Sequence, residues 1–69
     1  MTHRDLLDRF PSRAALARAM GENEVTVRQW GNRNNIPGAY WSAIVDAGER
    51  LSIGITLAEL ADAAAEKAA

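Results

Sequence analysis

Gly21 constrains this chain more than any other residue. It stands between two stretches with helical apolar spacing, Leu16, Ala17 and Met20 before it and Val27 and Trp30 after it. Helices commonly end on a glycine because it enters the left-handed backbone conformation without a steric penalty. Two short helices are therefore expected to meet across a tight turn. Ala17, four residues before the glycine, falls where the helices approach most closely, and a larger side chain there would push them apart. Leu16, Met20, Val27 and Trp30 are spaced to fill the angle between them.

The remaining sequence reads as more helices of similar length. Alanine, leucine, arginine and glutamate dominate, aromatic residues contribute only 6%, and no apolar–polar alternation persists. The expected fold is all-α, a compact bundle of about five short helices. Thr2 with Asp5 marks a first helix start, Leu6, Leu7 and Phe10 form its apolar side, and Pro11 stops it. Ser12 is a good N-cap for the second helix and Asn23 for the third. Gly31 and the polar run Asn32, Arg33, Asn34, Asn35 are expected to end the third. Pro37 suits the first turn of a fourth helix, with Trp41, Ile44 and Val45 on one face and Gly48 as a weak point. Gly54 marks a turn. Thr56 and Glu59 make a full capping box for a fifth helix over about 57–67, which should dissolve into a fraying alanine-rich tail. No repeat or linker divides residues 1–69, so a single domain is expected.

Several function classes drop out on residue counts. The 69 residues include no cysteine, which removes disulfides, thiolate metal ligands and a cysteine nucleophile. The single histidine, His3, excludes a multi-histidine metal site and reads as an exposed N-terminal residue without a role. No nucleophile–base spacing is visible, so neither an enzyme nor a cofactor is expected. No apolar run approaches the roughly 18–20 residues that span a bilayer, and no signal peptide opens the chain. Arg4, Arg9 and Arg18 alternate with Asp5 and Asp8 and read as a solvated surface.

The small–glycine–apolar pattern over about 12–32 is that of a helix-turn-helix, in which the second helix enters a DNA major groove. The order Leu16-Ala17, Met20-Gly21, Val27 and Trp30 resembles the Cro/repressor type of helix-turn-helix protein from phages and bacteria. With Thr26-Val27, Gln29-Trp30, Ile36-Pro37 and Tyr40-Trp41 added, the chain resembles small bacterial domains labelled carph-isopro or YdaS-like, over about residues 5–60. One departure is Glu22, which stands where that family carries an apolar residue and implies a turn more exposed or differently angled.

The resemblance implies a sequence-specific transcriptional regulator of the phage or prophage repressor kind, cytoplasmic and nucleoid-associated when bound to DNA. With Val27 and Trp30 inward, Glu24, Val25, Arg28 and Gln29 face out for base reading. Arg28 matches guanine O6 and N7, Gln29 matches adenine, and Val25 suits a thymine methyl. Glu24 either accepts from cytosine N4, repels phosphate, or serves the helix N-terminal dipole. Arg13 stands where the family contacts the DNA backbone, and Asn23, Thr26, Asn32, Arg33, Asn34 and Tyr40 have the chemistry to add contacts. Trp30 and Trp41 read as core.

The net charge of −1 is unusual for a DNA binder, but its distribution is uneven. Residues 1–35 carry six arginines against four carboxylates, and residues 36–69 carry two cations against five. Few phosphates can be neutralised per copy, so binding as a homodimer to an inverted repeat is expected. Leu57, Leu60, Ala61 and Ala64 are the candidate dimer face, with packing of that face onto the first helix as the other reading. The alternative function is a protein-interaction adaptor or antitoxin-like module that keeps the scaffold without binding DNA. Its acidic C-terminal half would then dock on a polymerase subunit or another protein.

Overall fold

A computed structural model describes residues 1–68. They form α1 (His3–Leu7), α2 (Arg13–Met20), α3 (Glu24–Arg33), a single 3-10 turn (Gly38–Tyr40), α4 (Trp41–Arg50) and α5 (Leu57–Ala68). No strand occurs among the described residues, so the fold is all-α. None of their helices is long and apolar enough to cross a membrane.

Local side-chain chemistry starts four of the five helices. Thr2 Oγ1 accepts the Asp5 N–H at 3.3 Å while the Asp5 carboxylate accepts the Thr2 N–H at 2.9 Å. Thr56 and Glu59 repeat this exchange at 3.1 Å in both directions. Ser12 Oγ accepts from Ala15 N–H at 3.0 Å and Asn23 Oδ1 from Val25 N–H at 2.8 Å. Each bond satisfies a first-turn N–H that has no partner inside its own helix.

The turn between α2 and α3 is built as its glycine requires. Gly21 has φ +70°, and the Glu22 N–H reaches back to the Ala17 carbonyl at 2.8 Å, closing the end of α2. Glu22 is half-buried, and its carboxylate accepts the Asn23 N–H at 3.1 Å. Glu22 thus finds a local partner in the turn.

Of the other boundaries, the start of α4 departs from expectation, and the end of α3 falls late within the run expected to close it. α3 runs through Gly31 to Arg33 and ends on Asn34, which takes the left-handed conformation at φ 53°. Pro37 precedes the 3-10 turn, and α4 begins four residues later and continues through Gly48. α5 runs from Leu57 to Ala68, within one residue of the expected span; Ala69, the end of the expected fraying tail, lies outside the described residues.

The core takes Leu6, Leu7 and Phe10 from the first segment, Leu16 and Ala17 from α2, and Val27 and Trp30 from α3. Ile36, Ile44, Ala47, Ile55, Leu60 and Ala63 complete it from the C-terminal half. α2 packs on α3 and α4, and α1 bridges α3 and α5. Trp30 lies against Tyr40 with ring centroids 4.8 Å apart.

His3 overturns its reading as an exposed terminal residue. It is 2% exposed. Ile36 donates its N–H to Nδ1 at 2.8 Å, and Nε2 lies 2.9 Å from the Leu60 carbonyl. An amide N–H can only donate, so Nδ1 is the acceptor and Nε2 carries the hydrogen toward Leu60. The ring also meets Trp41 edge-on, with centroids 5.8 Å apart, and the Trp41 indole N–H donates to the Ile36 carbonyl at 2.9 Å. Both backbone groups of Ile36 are therefore satisfied by side chains from elsewhere in the fold.

Arg9 is likewise a tie and not a solvated cation. It donates to the Gly54 carbonyl at 2.8 Å and pairs with the Glu59 carboxylate at 2.8 Å. That guanidinium, foremost, holds the Glu59 carboxyl below its usual range, with the Thr56 backbone N–H adding to it. Asp5 is held low chiefly by the Thr2 backbone N–H and then by the Thr2 hydroxyl.

Two outcomes follow for stability. His3→Phe keeps an aromatic ring against Trp41 but strands the Ile36 N–H, and should cost at least about 1–3 kcal/mol in urea unfolding. A carboxyl held low in the folded state stabilises it above the ordinary carboxylate pKa, and that contribution disappears as pH falls. Thermal midpoints should therefore drop as the pH is lowered from about 5 toward 2. Arg9→Gln should lower the midpoint at neutral pH and flatten that acid limb.

Candidate nucleic-acid interface

α3 divides cleanly into an inner and an outer side. Val27, Trp30 and Gly31 are buried, while Val25, Arg28, Gln29, Asn32 and Arg33 are exposed. At 3.6 residues per turn, Val25, Gln29 and Asn32 lie along the outermost line of the helix. Arg28 lies on one flank, on the side toward Gly31. Val25 is 60% exposed, an apolar side chain that the described residues leave in water.

The flank of Arg28 faces a concavity of about 360 Å³ lined by Arg4, Arg13, Arg28, Gly31 and Asn32. Three separate helices supply its guanidinium groups. Arg28 donates to the Glu24 carboxylate one turn earlier at 2.8 Å. Arg13, at the start of α2, donates to Asp8 at 2.9 Å. Arg4 reaches from α1 to the end of α3, where its Nε–H donates to the Gly31 carbonyl at 2.9 Å and an Nη–H to the Asn32 carbonyl at 3.4 Å.

Gly31 matters here because of what lies over it. A Cβ at this position would stand 3.1 Å from Arg13 Nη2 and 3.2 Å from Arg13 Nε. The missing side chain lets the Arg13 guanidinium lie on the α3 surface. Glycine inside a helix otherwise weakens it.

The end of α3 is tied down from two directions. Asn34 Oδ1 accepts the Arg4 N–H at 2.8 Å, and Lys67 Nζ donates to the Arg33 carbonyl at 2.9 Å. The Arg4 and Lys67 side chains thereby donate to carbonyls at the negative end of the α3 dipole, while the Asn34 amide oxygen satisfies a first-turn N–H of α1.

Several residues read from sequence as DNA contacts prove to have work inside the fold. The Asn34 side-chain carbonyl caps the start of α1, and Tyr40 is half-buried against Trp30. Asn23 uses its Oδ1 as the N-cap of α3, and Thr26 is half-buried. Arg28, Asn32 and Arg33 are exposed on α3, and half-buried Arg13 joins Arg28 and Asn32 in lining the concavity. Glu24, read as a base contact or dipole partner, is the ion-pair partner of Arg28. Arg4 joins this surface, although its place in the chain reads as an ordinary solvated arginine. No local signal identifies it, because its partners lie 27 to 30 residues away.

The dimer candidates separate. Leu60 is fully buried in the core and is not available to a second copy, because α5 packs on α1 and α4 through that side. Leu57 and Ala61 are exposed and Ala64 is half-buried. No family model, curated protein or solved structure matches the chain.

Gly31→Ala should raise stability by about 0.5–1 kcal/mol, since the helix gains propensity. The obstructing atoms belong to the flexible end of a partly exposed arginine, which can swing away. A loss of stability in urea unfolding would show that Arg13 is rigidly fixed on the helix.

Proposed function

We propose that α2 and α3 act as a helix-turn-helix and that the protein is a sequence-specific DNA-binding regulator. One observation carries this reading. α3 is held by its inner side against the core while its outer line presents Val25, Gln29 and Asn32, with Arg28 and Arg33 beside them. An apolar side chain and a side-chain amide one turn apart are the groups that meet a thymine methyl and the N6–N7 edge of adenine. The cations of Arg4, Arg13 and Arg28 beside that line supply attraction for the phosphate backbone. Glu24 restrains Arg28 and repels phosphate in a wrong register.

A net charge of −1 limits how many phosphates one copy neutralises. Binding then calls for two copies on an inverted repeat, with α3 of each in successive major grooves about 34 Å apart. Leu57 and Ala61, exposed on α5, are the remaining members of the dimer face.

A second reading has its own support. The Glu24–Arg28 pair at 2.8 Å neutralises a cation on the outer side of α3, and the C-terminal half is acidic. A protein-interaction adaptor, docking on RNA polymerase or another protein, fits those two features.

Selection from a random duplex pool at about 100 mM salt separates the two readings, since only a sequence-specific regulator enriches a preferred site. Enrichment of an inverted repeat is the expected result. Gln29→Ala should then relax the preference at one position per half-site by about 1–3 kcal/mol without altering the helical circular dichroism. Absence of any enriched sequence at low and moderate salt would reject the regulator and leave the adaptor.

A further inference from the structure

We infer that Arg4, Arg13 and Arg28 together form a seat for one phosphate oxyanion, on the flank of α3 and bordering the outer line at Asn32. The reading of its occupant as a DNA phosphodiester rests on the proposed function; the seat itself does not.

The arrangement is built and not incidental. Three guanidinium groups from α1, α2 and α3 line one concavity of about 360 Å³; their mutual repulsion is offset by a separate partner for each, the α3 carbonyls for Arg4, Asp8 for Arg13 and Glu24 for Arg28. Arg4 is fixed in place by two carbonyls of α3. Arg13 occupies the space left by the absent side chain of Gly31. Each guanidinium has five N–H donors, and among the described residues Arg13 and Arg28 each spend one, on Asp8 and Glu24. Both carboxylates are on the surface, with side chains 59% and 43% exposed, so water can replace the arginines as their partners. An incoming tetrahedral anion would find three cations and several undirected N–H groups, the chemistry that arginine matches best among side chains.

Groove dimensions place such a seat against a phosphate. The major groove is about 12 Å wide and a helix with its side chains about 10–12 Å across. The outermost line of an inserted helix therefore meets base edges, and its flanks meet the two backbones. Arg28 lies on the flank, which assigns it to a phosphate and leaves Val25 and Gln29 to the bases.

Two titrations test this. In the first, inorganic phosphate is added at constant ionic strength and followed by ¹H–¹⁵N NMR. Saturable shifts confined to the Gly31 and Asn32 amides and the Arg13 and Arg28 Nε–H groups are expected. The Arg13→Gln/Arg28→Gln protein, which leaves the Arg4 tie intact, should bind phosphate at least about tenfold more weakly. Gly31→Ala should weaken it too, while retaining all three arginines and a cooperative melt with a midpoint no lower than that of the parent. Unsaturable or dispersed shifts would overturn the seat.

In the second, salt dependence is measured on a selected duplex. Arg28→Gln should weaken binding about equally on all sequences and lower the salt slope by about 1. That result identifies a DNA phosphodiester as the occupant. An unchanged slope with phosphate binding intact supports the seat for a free phosphate-bearing molecule instead. If Arg28→Gln relaxes preference at one base position and inorganic phosphate does not bind, the seat is overturned and the regulator stands. If phosphate binds and no duplex is ever enriched, the regulator falls and the seat stands.

Discussion

The imidazole of His3 is the constraint on which the arrangement of helices depends. One nitrogen takes the Ile36 N–H and the other reaches the Leu60 carbonyl. A single buried ring thereby joins α1 to the segment leaving α3 and to α5. Ile36 is itself 1% exposed, and a buried irregular segment has no ladder of its own to satisfy its backbone. Without His3 and the Trp41 indole, both polar groups of Ile36 would lose their partners in a nonpolar interior, a cost comparable to several ordinary hydrogen bonds. The same contacts set the distance between α1 and α4, because the imidazole stands edge-on to Trp41. A domain of this size buries a modest apolar area. Polar ties of high sequence separation are then a large share of what selects one packing over its neighbours.

What could be read from the sequence and what could not divides by distance along the chain. The caps at Thr2, Ser12, Asn23 and Thr56 and the left-handed turn at Gly21 involve partners within five residues, so their residue types announce them. The inward positions Leu16, Val27 and Trp30 follow from helical spacing alone. His3, Arg4 and Arg9 carry no such signal. The backbone carbonyls they reach lie 27 to 57 residues away, and a polar side chain near a terminus has no pattern that distinguishes a buried tie from a solvated one. Gly31 misleads for a related reason. In isolation a glycine near a polar run reads as a helix end, whereas here it lies within α3 with the Arg13 guanidinium across it. The termination signal passes to Asn34, which tolerates positive φ better than most non-glycine residues.

The outer surface shows the same division. Helical spacing identifies Val25, Arg28 and Gln29 as outward residues. Asn34 and Tyr40 have equally suitable chemistry for phosphate contacts, yet the fold uses Asn34 to cap α1 and Tyr40 to cover Trp30. Polar residue type is a necessary condition for a surface contact and a poor guide to which residues remain at the surface. The separation of charge between the two halves of the chain is a better guide, because it survives any packing that keeps α1, α2 and α3 together.

Convergence of three arginines has a structural reason as well as a functional one. The C-terminal carbonyls of α3 carry partial negative charge that needs donors, and Arg4 and Lys67 supply them. Those carbonyls lower the cost of holding Arg4 close to Arg13 and Arg28, and the carboxylates of Asp8 and Glu24 lower it further. The two kinds of compensation differ in permanence. Backbone carbonyls stay where the helix puts them, so Arg4 keeps its position through any exchange of ligands. The carboxylates sit on flexible surface side chains, and their attraction is shared with water and screened by salt. A fixed cation beside two exchangeable ones therefore gives this corner of the molecule both a defined geometry and a low barrier to replacing its internal anions with an external one.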